Sequence, residues 1–515
     1  MKYNINRRKL LVTSALSVLT PVVASNMSVA ATPQTSKSDR SWDETFDVVV
    51  IGSGGAGLTA AVTAAEKGAK VLVLEKNSFV GGNTIVSGGA FNAVIPEDAK
   101  KAGVQDSEQL FFENTMEAGG YRGNKKLVKK LTENADESVA WLKDHGVEFM
   151  DYIYQVYGGL HPRTRNPKLH GGQSYIKALM ECAQKLPITI RTNSRVVDII
   201  REAPLEGRVI GVEYVTPDKR NHFIKAKRAV IAASGGYSAN AKLCGLFDPR
   251  LEHLGTSNLP SATGEILNDM IDLGAQTVGM DYVQCVINKP KDQSTYVPLS
   301  IFVDYFIFVN WDGERFIKED AARDVLCNAF LAEPKEEAFS VMDSKGFDVH
   351  CKVGRVEDLL KKSIKTGIVL EANSIEELAK KMGVPVSKLC QSVEAYNRSV
   401  DDKADALGRD PKMLVHKIET GPFYAARFAM ARHHTMGGVL INEDAQVIDR
   451  KGNVIPGLLA AGEVTGGIHG NNRIGGNGIA DIFTFGRFAG LTATKLTKTK
   501  MEAYKFLSLR PRRKL

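Results

Sequence analysis

Gly52, Gly54, Gly55 and Gly57 lie together in GSGGAG, and Glu75 follows Gly57 by 18 residues. Residues of these types at this spacing are suited to a dinucleotide. Glycine lets a backbone turn sharply and approach a pyrophosphate. The N-terminus of a following helix offers free N–H groups and a partial positive charge, and a carboxylate ending the next strand accepts the two hydroxyls of an adenosine ribose. The flanking residues supply the elements this requires. The apolar run Val48 to Ile51 predicts a buried strand, the Ala-rich stretch closing at Gly68 a helix, and the apolar run ending in Glu75 and Lys76 a second strand.

Two further clusters carry the same character. Gly81 to Gly89 reads GGNTIVSGG, and its small residues, Gly82, Asn83, Thr84, Gly88 and Gly89 among them, let backbone lie against a planar ring system. Near the other end stand HHTMGG from His433 and a Gly-rich run from Gly462 and Glu463 through Gly476, Asn477 and Gly478. The short apolar segment Leu458 to Ala461 predicts a strand before that run, and a helix is expected from Ile479.

These elements sit in a chain of 515 residues, 43% hydrophobic, long enough for two or three lobes. Glu108 to Gly146 shows helical spacing, with Leu127, Leu131, Val139 and Leu142 as the inner stripe. Strands are expected at Ile188 to Arg195, Arg208 to Val215 and Ala229 to Gly236, the last ending in glycines. Aromatic strands such as Tyr305 to Val309 and charged helices at Ile375 to Lys381 and Val386 to Asn397 mark a different lobe. The fold class expected is α/β: a Rossmann-like domain of two dinucleotide folds over residues 42–284 and 426–505, interrupted by an α+β lid over residues 285–425 that closes over the bound group.

Charge and cysteine usage exclude several classes. The formal charge is +8, but Lys2, Arg7, Arg8 and Lys9 supply four of those units, so +4 remains without them. The basic tail from Leu509 has no interleaved aromatic residues, and nucleic acid is not expected as a partner. The six cysteines form no CxxC or CxxCH, which excludes covalent c-type haem and offers no zinc or iron–sulfur spacing; no metal is expected. Paired arginines ahead of an apolar stretch reaching Val23, then the small-residue run SVAAT, predict a twin-arginine export signal over residues 1–31, and a polar linker follows from Thr32 to Asp43. The apolar stretch is too short and too rich in Ser and Thr to span a membrane.

With HHTMGG, AGEVTGGIHG and NRIGGN, the chain from Asp47 to Gly490 resembles the fumarate reductase/succinate dehydrogenase flavoprotein family, and within it the soluble flavocytochrome c and methacrylate or urocanate reductase-like flavoproteins. The resemblance implies non-covalent FAD, a lid, and reduction of the C=C bond of an unsaturated carboxylate. It also implies periplasmic location, a role as a terminal reductase of anaerobic respiration, and a separate c-type cytochrome as electron donor. Arg473 would clamp the substrate carboxylate bidentately with His433, the backbone at Gly476 completing that site. His434, through its backbone, and the N–H groups of the Gly-rich loop would contact the flavin. Arg323, which follows Gly313-Glu314-Arg315-Phe316, matches the family's proton donor.

Two departures bear on substrate. Gln284-Cys285-Val286-Ile287 stands where the family reads roughly QAHP, and Pro298 to Val303 stands where it reads T-E-A-x-R-G. Both replacements remove hydrogen-bond donors for a second carboxylate, and the latter removes the usual proton relay, leaving Asp304, Asp320 or ordered water as substitutes. A monocarboxylate such as methacrylate or acrylate is therefore favoured, with Phe302, Tyr305 and Phe306 as added apolar surface if they face inward. The alternatives are a fumarate reductase in which Lys289 serves the second carboxylate, a flavin-dependent dehydrogenase or desaturase, and a non-catalytic electron-transfer subunit.

Overall fold

The computed structural model describes residues 41–156, 159–169, 171–352 and 356–496, so the expected export signal and the basic tail lie outside the described residues. The strand Glu44–Ile51 runs parallel to Val71–Leu74 on one side, in register Val48 with Val71, and to Asn221–Ala232 on the other, Ile51 facing Ala232. Ile188–Arg191 extends the parallel sheet beyond Val71–Leu74, and Val454–Ala460 extends it beyond Asn221–Ala232. Val48 to Val50 and Val71 to Val73 are fully buried, consistent with continuous apolar runs covered on both faces.

The helix Gly55–Glu66 follows the first strand through the glycine turn and packs against the last described helix, Asn477–Lys495. Ends of sequence-distant segments thereby meet at the carboxyl edge of one sheet, where open α/β sheets bind ligands. The stretch from Glu108 resolves into three helices, Glu108–Ala118, Lys125–Thr132 and Ala135–Asp144, the first two N-capped by Ser107 and Asn124. The four residues of the expected inner stripe are all fully buried.

A second, six-stranded sheet is organised on the long strand Phe423–Thr435, which pairs antiparallel with Val283–Asn288, Glu337–Met342 and Val369–Ala372 and parallel with Gly255–Thr256. Its outer face carries the helices Ile375–Met382 and Val386–Asp402 over a core of Ile307, Val309, Leu378, Leu389 and Tyr396. Both Phe423–Thr435 and Val283–Asn288 straddle the boundaries expected from sequence, so the two lobes share continuous strands. The strand expected from Tyr305 begins at Ile307, because Val303–Tyr305 forms a 3-10 turn. That turn is held by fully buried Arg409, which donates to Phe306 O at 3.2 Å, to Glu319 Oε2 at 3.2 Å and to Val303 O. Arg315 joins the same network, 2.8 Å from both Glu319 and Asp405. Among the described residues no helix is long and apolar enough to cross a membrane.

Candidate active site

The first glycine turn opens into a cleft. Gly52, Gly54, Gly55, Glu75, Lys76, Gly82, Asn83, Thr84, Gly462 and Glu463 line it, ten of the residues expected to hold the cofactor. Gly52 has φ +101°, and a Cβ there would fall 2.5 Å from Ala233 O, so the turn excludes any larger residue. Glu75 is buried; its Oε2 accepts from the Ser53 amide at 3.0 Å and the Ser53 hydroxyl at 2.7 Å, and its Oε1 from the Asn77 amide at 2.8 Å. Those bonds hold the carboxylate at the cleft wall.

The remaining expected cofactor residues stand outside the cleft wall. Gly57 packs its Cα against Gly52 O, Gly89 lies against Gly171, and nothing lies within 4 Å of a Cβ built on Gly88. Asn477 is fully buried and wholly engaged, donating to Thr115 Oγ1 at 3.1 Å and accepting from Asn92 at 2.7 Å. Ile479 packs on the core from the start of the last helix. Sequence reading overlooked Ser194, Arg195 and Val196 and, from a later turn, Ser261, Ala262, Gly264, Glu265 and Ile266, which also line the wall. Their signal is weak, since short polar turns carry no spacing rule; only the packing of the second strand against these segments gathers them there.

Glu463 links this cleft to a cluster of basic residues. Its Oε2 lies 3.6 Å from His434 Nδ1, and its Oε1 accepts from the Thr435 amide at 3.0 Å. Burial raises its pKa to about 7. Beside it, burial and the charge of Arg473 hold His434 well below the ordinary histidine range. His433, next in the strand, is likewise held well below by burial and by Arg473 and Arg323, so both rings are neutral at pH 7. Ser257 Oγ lies 2.7 Å from His433 Nδ1; this partner was not read from sequence, because Gly255–Thr256 joins Phe423–Thr435 only through tertiary pairing.

Arg323 begins the helix Arg323–Ala332 and donates through Nη1 to Gln284 Oε1 at 3.1 Å. Arg473 donates through Nη2 to the same oxygen at 3.3 Å and through Nη1 to Ile474 O at 2.9 Å. Gln284 returns its own amide protons to Asn472 Oδ1 at 2.6 Å and Arg473 O at 2.9 Å. Among the described residues the buried Arg473 Nε has no hydrogen-bond partner, and burial followed by the Arg323 charge pushes the Arg473 pKa down to about 9. Gly476, φ +87°, caps the helix Asn477–Lys495 one turn from Arg473; a Cβ there would fall 2.5 Å from Asn92 Oδ1. Arg323 from the start of its helix, His433 from the strand Phe423–Thr435 and Arg473 from the loop ahead of the last helix thus come to one region, with Gly476 three residues beyond Arg473.

The departures from the family pattern also acquire positions. Val286 pairs with Ala431 and is part-buried. Phe306 is fully buried between Phe308 and His350, Phe302 lies edge-on to His350, and Tyr305 stacks toward His416, so these rings are engaged in packing around the 3-10 turn Val303–Tyr305. Lys289 donates to Gln293 O, and Asp320 accepts from the Asp410 amide at 2.9 Å.

A family model described as an FAD binding domain matches residues 47–479. The chain belongs to this family of flavoproteins. It is 36% identical over 455 residues to an NADH:fumarate oxidoreductase of Klebsiella pneumoniae, covering 88% of this chain and 48% of that protein. It is 32% identical over 525 residues to an NADH:acrylate oxidoreductase of Vibrio harveyi, covering 89% and 51%. The chain thus spans about half the length of these two relatives. Among solved structures, the open conformation of a flavocytochrome c3 fumarate reductase superposes with a TM-score of 0.74 at 34% identity, covering 88% of this chain and 79% of that one. The expected α/β class is the one observed.

The cleft fits FAD. Glycine backbone lies where a pyrophosphate needs close approach, the helix Gly55–Glu66 points its N-terminus at it, and Glu75 stands at the end of the second strand. Among the described residues the buried Ser234 Oγ on the wall has no hydrogen-bond partner, leaving a polar atom for a bound group.

Proposed function

We propose that the protein is an exported, FAD-dependent ene-reductase that reduces the C=C bond of an α,β-unsaturated carboxylate, with a monocarboxylate such as methacrylate or acrylate preferred. One observation carries the reading: two guanidiniums, Arg323 and Arg473, converge on a single neutral amide oxygen beside a neutral histidine, one residue along the strand from a contact with the cofactor cleft. The names of relatives that act on fumarate and on acrylate support the substrate class.

The residues divide the work. Arg473 offers a fork to one carboxylate, and an anion there offsets the like charge of Arg323 that lowers the Arg473 pKa. Ser257, giving its proton to His433 Nδ1, leaves Nε2 as an N–H donor to the same carboxylate. FAD, when bound, would supply a hydride to the β-carbon. Arg323 delivers a proton to the α-carbon and is reprotonated in turn, since free arginine is too weak an acid to remain discharged. Gly52, Gly54, Gly55, Glu75, Lys76, Gly82, Asn83, Thr84, Gly462 and Glu463 are assigned to non-covalent FAD. The backbone at His434 and the helix N-terminus at Gly476 are assigned to the junction of flavin and substrate.

The preference for a monocarboxylate rests on Val286 and Pro298, which stand where the family places a histidine and a threonine. A second carboxylate buried without partners costs several kcal/mol, whereas a methyl group against apolar side chains gains roughly 0.8 kcal/mol. The relatives' fumarate activity supports fumarate as the second reading. Electrons are assigned to a separate c-type cytochrome, in a periplasmic anaerobic respiratory chain. Single-turnover reoxidation of the reduced protein by a panel of enoates tests the reading: rapid reoxidation by unsaturated carboxylates supports it, and inertness to all of them refutes it.

A further inference from the structure

Glu463 lines the cofactor cleft, yet its carboxyl group has no part in the assigned hydride and proton deliveries. Its Oε1 is fixed, accepting from the Thr435 amide at 3.0 Å and the Thr435 hydroxyl at 3.2 Å, and a Cβ at Gly236 would fall 2.5 Å from it. Its Oε2 faces His434 Nδ1 at 3.6 Å, too long for a hydrogen bond. The ring of His469 stands edge to face on His434, 5.5 Å between centroids at 72°, and His469 Nε2 lies 3.1 Å from Asp481 Oδ2 on the last helix. Among the described residues His469 Nδ1 and Asp481 Oδ1 are buried with no hydrogen-bond partner. The other ionisable groups that act on Glu463 or feel its charge are Arg473, ahead of the last helix, and Tyr237 and Cys244, which follow the strand Asn221–Ala232. Burial pushes both of the latter up, Cys244 to about 11, so they stay protonated across neutral pH. His433 and Arg323 complete the set by acting on His434.

We propose that Glu463 is a proton acceptor coupled to the cofactor: when FAD in the cleft is reduced, Glu463 takes up one proton from water, and Asp481 sets the pH range over which it does so. A carboxylate in a poorly solvated cavity is destabilised by further negative charge placed near it, and protonation relieves that repulsion. Two electrons enter the cofactor from a reductant such as reduced viologen, and negative charge collects on the flavin ring. The balancing proton leaves water and forms the O–H bond of Glu463, in addition to any proton bound by the flavin itself. Oε1 already accepts two hydrogen bonds, which leaves Oε2 for the proton, and the facing Nδ1 of neutral His434 can accept from it. Burial raises the Glu463 pKa to about 7; the Thr435 bonds and Arg473 pull it down, and the Asp481 charge pushes it up. Below about 7 the carboxyl is protonated whether or not the cofactor is reduced, whereas above it reduction draws the proton in, so the additional uptake is confined to the alkaline side.

The full-length, FAD-loaded protein is titrated potentiometrically at a series of pH values, with flavin absorbance as the readout. Above about 7 the midpoint potential of the unmutated protein should fall with pH more steeply than that of Glu463→Gln by one proton per two electrons, a tenfold change in the reduction equilibrium per pH unit, or about 30 mV. Below that pH the two lines should run parallel. Asp481→Asn removes a charge that raises the Glu463 pKa, so its steep segment should begin at lower pH, a shift that a merely structural role would not give. Parallel lines throughout for the unmutated protein and Glu463→Gln overturn the proposal, as does loss of the extra slope in His434→Gln but not in Glu463→Gln. Should Glu463→Gln not retain FAD, proton uptake by the unmutated protein decides. An indicator dye in weakly buffered solution on the alkaline side should count one proton more than the reduced flavin carries, the flavin's own protonation being read from its absorbance, and no excess overturns the proposal. Neither measurement depends on which substrate is reduced.

Discussion

Arg323 and Arg473 donate to the same atom, Gln284 Oε1, at 3.1 and 3.3 Å. A neutral amide oxygen can orient two cations but cannot neutralise them, and in a site this buried their repulsion is only weakly screened. Gln284 holds its own orientation through Asn472 and the Arg473 carbonyl, so the two arginines are set relative to each other before substrate arrives.

Arg323→Ala should lower kcat by roughly 10²–10⁴-fold, with little change in the visible spectrum of the bound flavin, because Arg323 lies outside the cleft wall. Arg323→Lys should recover part of the rate, since lysine also donates a proton. Steady-state turnover with a reduced viologen checks both, and an Ala variant with most of its activity would place the acid elsewhere.

Denaturation of the purified protein should release all of its flavin into the supernatant, as expected of non-covalent FAD. Gly52→Val should yield flavin-free protein, because the new Cβ would meet Ala233 O at 2.5 Å on a backbone with φ +101°. Absorbance of the supernatant and of the purified variant reads both outcomes.

Methacrylate should exceed fumarate in kcat/KM, and Val286→His should shift the ratio toward fumarate by at least tenfold, about 1.4 kcal/mol, by supplying a donor for the second carboxylate. A tenfold advantage for fumarate in the unmutated protein would establish the fumarate reading instead.

His350 predicts an acid-sensitive contact with the segment Ile301 to Phe302. Its Nδ1 lies 2.7 Å from Gly346 O, and its Nε2 accepts from the Ile301 and Phe302 amides at 3.3 Å, a pattern only the neutral ring satisfies. Burial depresses its pKa to about 4. A histidine depressed in the folded state contributes stability that is fully present above its unfolded pKa near 6.5 and is lost as pH falls toward 4, by up to about 3 kcal/mol. Urea midpoints across this range should fall less steeply for His350→Gln than for the unmutated protein.

Arg7→Lys with Arg8→Lys should leave precursor in the cytoplasm, as expected of a twin-arginine signal. Cell fractionation checks it, and normal periplasmic accumulation would remove the assignment.

The residues that line the glycine cleft and are proposed to hold a dinucleotide were legible because their chemistry is local. GSGGAG and Glu75 belong to one strand–helix–strand unit, so their spacing along the chain is also their spacing in space. HHTMGG and the run around Arg473 were legible as motifs for the same reason. What no spacing rule supplies is the meeting of Gln284, Arg323, His433 and Arg473, which depends on the pairing of Val283–Asn288 with Phe423–Thr435 and on the helix Arg323–Ala332 packing beside it. Ser257 reaches His433 only because Gly255–Thr256 adds to that strand. The aromatic residues Phe302, Tyr305 and Phe306 read from sequence as possible pocket surface, yet the tertiary fold packs them against Phe308, His350 and His416, Phe306 fully buried and the other two in part, because ring packing removes apolar area from water. Sequence by itself determined the cofactor fold and named the catalytic candidates; the tertiary structure decided which side chains share an atom, because contacts between distant segments are set by strand register and helix packing.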